Sequence, residues 1–370
     1  MLQMRTSERR DLKSCAQKWQ WGTVEGLRPN HTPNPLWLGT AVHEALARWY
    51  VPGTERGQHP AEAFAEILDG DRKTLVTNED EEREFVSSRE LGSDMLARYV
   101  EFYGLEPKKE IIATEQEFQV ILPRPAIKIF GQDQPEQKRW LRYVGTFDGV
   151  FRDLETGEIW LDETKTAASI WHDHLPLDDQ AGSYWAVATT LLRRKGILKK
   201  NEHIAGIMYN FLRKAMGDTR PINEDGLRTN KPTKSHYLEA LSESYEEDSI
   251  AKFKVDELAA LAETDKLIVV GDASASQPPA FFERFPVYRS KGERATMIRR
   301  IQEEAIFSEA YRKGWLPVTK SPDPMKCRMC SFRRMCELDE QGDAMAVEEF
   351  KASQFHAEDP YAAHRRKSAE

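Results

Sequence analysis

Three of the chain's four cysteines fall inside one stretch, CRMCSFRRMC at 327–336, and the fourth, Cys15, stands near the opposite end. No other feature constrains the fold as tightly. Four thiolates satisfy either a tetrahedral zinc ion or an iron–sulfur cluster. The spacing is Cys-x2-Cys-x5-Cys plus a distant single cysteine, a poor fit to the two Cys-x2-Cys pairs of a zinc ribbon. The plain alternative is four unrelated buried thiols, and the clustering argues against it. A shared site at Cys15, Cys327, Cys330 and Cys336 would turn everything between into a closed loop. It would clasp the N-terminal segment to the C-terminal one.

Composition narrows the setting. The chain has 370 residues, 40% hydrophobic and 31% charged, which describes a soluble globular protein of one large or two ordinary domains. No apolar run approaches the roughly 20 residues that span a bilayer. The N-terminus, MLQMRTSERRDLKS, has no apolar signal core, so a reducing cytoplasm without disulfides is expected. The formal net charge of −8 argues against a protein that coats nucleic acid nonspecifically. Local basic clusters remain: RRKGILKK at 193–200, Arg299–Arg300, and Lys326, Arg328, Arg333 and Arg334. Each is by default a solvated surface, and each is a candidate for tracking a phosphate backbone.

Periodicity predicts the elements. A short helix entering a loop is expected over 11–27, with Ser14 as a local cap. LWLGTAVHEALARWY (36–50) repeats Leu38, Val42, Leu46 and Trp49 at helical spacing and puts Gly39 and His43 on one face. A loop follows at 52–60 and a second helix at 80–104. IIATEQEFQVIL from 111 alternates like a strand, and 123–138 reads as a polar loop. RYVGTFDGVFRD and GEIWLDETKTA read as two strands joined by a turn at Leu154–Gly157. A helix over 178–195 and a strand over 203–214 follow, then turns to 235, helix near 236–265, strand at 281–290 and helix at 291–314. The acidic stretch after 337 predicts a flexible tail. Strand, strand, helix, strand in the middle third makes the fold class mixed α/β.

The central hairpin carries the chemistry. Asp148 stands on its first strand, and Glu163 and Lys165 stand two apart on the second, so they share a face. An antiparallel pairing could set Asp148 beside them. Two carboxylates make a hard, oxygen-rich site for Mg2+ or Mn2+. A lysine beside a metal-bound water can orient it, deprotonate it or stabilise the phosphate. Asp162 points to the opposite face and reads as structural.

GTAVHEAL, GTFDGV, ETKTA and QAGSY occur in that order, each on the right kind of element. This series resembles the RecB-like branch of the PD-(D/E)xK nucleases. Cys15 with CRMCSFRRMC resembles the iron–sulfur clasp of AddB-type and CRISPR-associated RecB-like exonucleases, with phage-type stand-alone members the nearest in length. The resemblance spans about residues 11–338. It implies a restriction-endonuclease-like core with a central mixed β-sheet flanked by helices, a helical part at about 36–104 and a catalytic core at about 111–214. Residues 1–338 would form one nuclease domain closed by a 4Fe–4S cluster on Cys15, Cys327, Cys330 and Cys336, with 339–370 as the tail. It implies metal ligation by His43, Asp148, Glu163 and the Thr164 carbonyl, with Lys165 as the catalytic lysine. Gln180 and Tyr184 would position the lysine or the DNA. Glu115 and Glu117 share a strand face, and Glu115 is favoured as a further acid.

The expected activity is thus a metal-dependent DNA exonuclease in recombination, repair or end processing, acting on single- or double-stranded ends. A homo-oligomer or a helicase partner is compatible with it. Two rival readings stand beside it: a non-catalytic DNA-binding or adaptor subunit that keeps the fold, and a zinc-binding scaffold. An intact His–Asp–Glu–Lys set counts against the first, and the cysteine spacing against the second.

Overall fold

The computed structural model describes residues 1–30, 34–76, 78–129 and 131–362. The chain opens with β1 (Leu2–Arg5), α1 (Thr6–Ser14), α2 (Ala16–Trp19) and β2 (Leu27–Pro29). Three helices follow: α3 (Asn34–Trp49), α4 (Pro60–Leu75) and α5 (Glu79–Tyr103). Then come β3 (Lys109–Arg124), the short hairpin β4 (Ile127–Ile129) and β5 (Gln132–Gln134), β6 (Gln137–Asp153), β7 (Ile159–Ala167), α6 (Asp179–Arg194) and β8 (Ile204–Arg213). Beyond them lie α7 (Lys234–Leu241), α8 (Glu247–Ile250), α9 (Val255–Thr264), β9 (Phe282–Tyr288) and α10 (Lys291–Arg312). The end is formed by α11 (Pro324–Arg328), α12 (Arg333–Glu340), α13 (Ala344–Gln354) and β10 (Phe355–Ala357).

The elements form where local chemistry allows. Leu38, Val42, Leu46 and Trp49 are all buried along α3, one apolar stripe at helical spacing. Asn78 caps α5 by accepting the Glu81 N–H at 2.9 Å, four acidic residues fill its first turn, and Gly104 at φ +65° ends it. Asp178 caps α6 by accepting the Gln180 N–H at 2.8 Å. The sheet is mixed. β7 and β8 are parallel, with α6 as the crossover, while β6–β7, β3–β6 and β8–β9 are antiparallel. Trp185, Ala188 and Leu192 of α6 join Met297, Ile301 and Ala305 of α10 in the main core against the strands.

Several expectations need correction. The helix α4 was not readable as such, although Phe64, Ile67 and Leu68 recur at helical spacing and are buried, because a polar run from Asp69 to Thr74 masks the pattern. The strand β1 is only four residues long and pairs in parallel with Leu141–Val144, a partner that no local pattern reveals. The supposed loop at 123–138 contains β4 and β5. Ser14 is the last residue of α1, not a cap; the chain breaks at Cys15 and restarts as α2. The acidic stretch expected to be a flexible tail is folded as far as 362: β10 pairs with β2, and Phe355 and Val347 pack with Trp21, Leu27 and Phe332. Residues 363–370 lie outside the described residues.

Residues 215–281 form a compact unit of their own, inserted in the stretch 1–338 that the sequence reads as one domain. Leu241, Ile250, Leu258 and Ala262 make its small core, and Arg220 ties Asp218 to Ser274 and Ser276. Among the described residues no helix is long and apolar enough to cross a membrane.

Candidate active site

The site is a gap in the sheet. β3 holds one edge of β6 from Gln137 to Asp153. The other edge is shared, because β1 pairs with Leu141–Val144 and β7 with Gly149–Arg152. Gly145–Asp148 fall between them, and among the described residues no strand takes that edge there. These residues are the GTFD of the sequence motif. Gly145 is needed on packing grounds: a Cβ there would stand 2.8 Å from the Phe118 ring and 3.1 Å from the Tyr184 ring. Its absence lets both aromatics close on the strand.

Where the ladder stops, side chains replace it. The Thr164 N–H, left without a strand partner on that side, donates to Asp148 Oδ2 at 2.7 Å. The same oxygen lies 3.2 Å from His43 Nδ1 on α3. Burial opposes a charge on His43, but the Asp148 carboxylate outweighs it and raises the imidazole to about 9. Continuing the β6–β7 register sets Asp148 opposite Glu163 on one face. Glu163 is 1% exposed. Its Oε1 accepts from Lys165 Nζ at 2.6 Å. Burial pushes the Glu163 carboxyl up to about 7 against the pull of Lys165, and the Asp148 charge adds to the rise. Lys165 also stands 3.9 Å from Asp178 Oδ2.

Glu115 completes the acidic set. Ligand atoms of His43, Glu115 and Asp148 all lie within 4.8 Å of one another. Glu115 adopts φ +42°, a left-handed conformation that costs a non-glycine residue energy and that tends to occur at functional sites. Glu117 is not part of this set. The donors fit a divalent cation: two carboxylates and an imidazole converge, and Glu163 Oε2 is buried with no hydrogen-bond partner in the protein.

Gln180 and Tyr184 line a cleft of about 620 Å³ together with Lys165, Gly145 and Thr146. Sequence reasoning missed two contributors to it. One is Asp178, detectable only as the helix-capping signal before QAGSY. The other is the β1–α1 segment, which brings Arg5 and Arg10 to the cleft. The basic clusters picked from the sequence are largely spent on neighbours. Arg300 donates to Asp179 at 2.7 Å, Arg193 to the Glu202 carbonyl at 2.8 Å, and Arg333 and Arg334 reach Glu337 at 2.8 and 3.3 Å.

The four cysteines are unbonded to each other and line a single cavity of about 510 Å³. Cys15 sits at the break between α1 and α2, Cys327 in α11, Cys330 just after it and Cys336 in α12. No three of their sulfurs fall within 4.8 Å of one another. Arg10 lines this cavity as well as the Lys165 cleft, so α1 borders both.

None of the curated proteins compared with the chain matches it. The family model of the PD-(D/E)XK nuclease superfamily matches residues 6–337. That match takes in α1, the gap in the sheet, the Glu163–Lys165 pair and all four cysteines. The chain therefore belongs to the PD-(D/E)XK nuclease superfamily, whose members cut nucleic acid with a divalent metal.

Proposed function

We propose that the protein is a metal-dependent DNA exonuclease of the RecB-like kind, acting in end processing during recombination or repair. The observation that carries the reading is the placement of the Lys165–Glu163 pair beside the His43, Glu115 and Asp148 set, with Lys165 also lining a cleft bordered by arginines. Restriction to DNA ends and the biological setting rest on the order of the sequence motifs.

His43, Glu115, Asp148, Glu163 and the Thr164 carbonyl would hold Mg2+ or Mn2+, which when bound supplies Lewis acidity and a more acidic water. The rest falls to the chain. Lys165, fixed by Glu163, presents an ammonium to the cleft and offsets charge that builds on the phosphate. Asp178 holds the lysine from the other side and caps α6, so that Gln180 and Tyr184 stay at the cleft. Arg5 and Arg10 give the strand's phosphates partners. These 370 residues contain no Gly-x4-Gly-Lys-Ser/Thr sequence, so strand separation by ATP hydrolysis is not assigned to them.

Cys15, Cys327, Cys330 and Cys336 are assigned to a structural 4Fe–4S cluster. The Cys-x2-Cys-x5-Cys spacing with a distant Cys15 supports this over the paired Cys-x2-Cys motifs of a zinc ribbon.

The test uses linear and covalently closed circular DNA with Mn2+, with Lys165→Ala beside the wild type. Digestion of linear DNA alone, reduced at least about a hundredfold in the variant, is expected. Cutting of circles as well would make the enzyme an endonuclease. Cleavage that does not depend on Lys165, or none at all, would leave a DNA-binding subunit with a nuclease fold.

A further inference from the structure

The elements that carry the metal-site side chains meet a second time, at one buried ammonium. α3 carries His43, β3 Glu115, β6 Asp148, and β7 Glu163 with the Thr164 carbonyl. Lys109 opens β3 and is 6% exposed. Its Nζ stands 4.4 Å from the ring centre of Tyr50 and 4.4 Å from that of Phe151, a residue of β6. Tyr50 follows α3 directly and continues its bonding, with its N–H donating to the Leu46 carbonyl at 2.8 Å. Asp162 of β7 supplies the countercharge, accepting from Lys109 Nζ at 2.8 Å. Every element that bears a ligand thus sends one side chain to this point. Tyr50, Phe151 and Asp162 line the same small cavity, about 20 Å³, as His43, Glu115 and Asp148.

Packing alone does not call for a charge here. An apolar pair of the same volume would hold these layers together at least as stably, because burying two ions costs desolvation. What the ammonium adds is direction. It donates along a fixed line to the carboxylate, and each ring face holds it from its own side. Asp162 relies on that bond, since its Oδ1 is buried with no hydrogen-bond partner among the described residues. Glu163 and Thr164 are the next two residues of β7, so a shift of Asp162 carries both with it. His43 lies seven residues before Tyr50, about two turns back along the same face of α3.

We propose that Lys109 is a positioning residue of the metal site: by gripping Asp162, Tyr50 and Phe151 together it fixes the spacing of His43, Asp148, Glu163 and the Thr164 carbonyl, and with it the affinity for the divalent ion. The proposal rests on the metal-dependent reading above.

The test is Mn2+ binding by full-length protein, read from the electron paramagnetic resonance signal of free Mn2+, beside thermal unfolding in EDTA. Lys109→Met with Asp162→Asn removes both charges, so that neither is stranded. Its thermal midpoint is expected to stay within a few degrees of wild type while Mn2+ affinity falls about tenfold. A second buried pair serves as control: Arg124 and Glu309, 2.7 Å apart, join β3 to α10. Arg124→Met with Glu309→Gln should leave Mn2+ affinity unchanged. An unchanged affinity in the Lys109 pair, or an equal fall in the control, overturns the positioning role. Asp162→Asn alone keeps the side chain's shape and an acceptor for Lys109, and it is read in parallel in case the double change does not fold. A smaller fall is expected there, and no fall also overturns the proposal. Wild-type protein that binds no Mn2+ overturns the metal-dependent reading itself, whereas wild-type binding that the Lys109 and Asp162 changes do not move sinks the positioning role alone.

Discussion

Two single positions carry much of the site's geometry. At Gly145 any side chain meets Phe118 and Tyr184. Gly145→Ala is therefore expected to cost about 1–3 kcal/mol, read as a lower thermal midpoint, and to push Tyr184 off the cleft. Glu115 is held in a left-handed conformation that turns its carboxylate to His43 and Asp148. Glu115→Gln should leave the fold intact and weaken Mn2+ binding roughly tenfold or more, measured by titration calorimetry. The two positions also differ in how legible they are. Gly145 belongs to a motif that the sequence displays. The choice between Glu115 and Glu117 is hidden, because strict alternation puts both on one face and only the local backbone at Glu115 breaks that alternation.

Among the elements, long segments with one clear period were readable: α3, α5, α6, β6 and β7 lie within a few residues of where their patterns put them. The element that completes the cleft was not. The segment β1–α1 is short and mostly polar, and its partners are far off in sequence. Glu8 accepts from Trp19 at 3.0 Å and from Arg312 at 3.1 Å, and it also bonds Tyr361. Arg9 Nε donates to Glu304 Oε2 at 2.5 Å, with both side chains largely shielded from water. Such a pair adds little over an apolar replacement, but removing one half strands a buried charge. Glu304→Ala should thus lower unfolding stability by about 3 kcal/mol in a denaturant titration. Glu304→Gln, which keeps a hydrogen-bond acceptor, should cost less. The folded tail escaped notice for a similar reason: its composition is acidic, and what buries it is Trp21 and Leu27 at the other end of the chain.

For the molecule as a whole, the compact unit 215–281 leaves from β8 and returns into β9, whose residues Leu212 and Phe282 are paired neighbours. Replacing it with an Asn-Gly turn should close β8 and β9 as a hairpin. The remaining protein is expected to keep its circular dichroism spectrum and a thermal midpoint within a few degrees. Cys330→Ser should have the opposite reach under the proposed cluster assignment: loss of iron absorbance, together with loosening of α1, which lines both the cysteine cavity and the cleft. The fastening of α1 also sets an order of events. A ribosome releases β6, β7 and α6, with Asp148, Glu163 and Lys165, long before Glu304, Arg312 and Tyr361 emerge. The nascent chain therefore carries Asp148, Glu163 and Lys165 while α1 still lacks the side chains that fasten it, so the Lys165 cleft gains its α1 wall late.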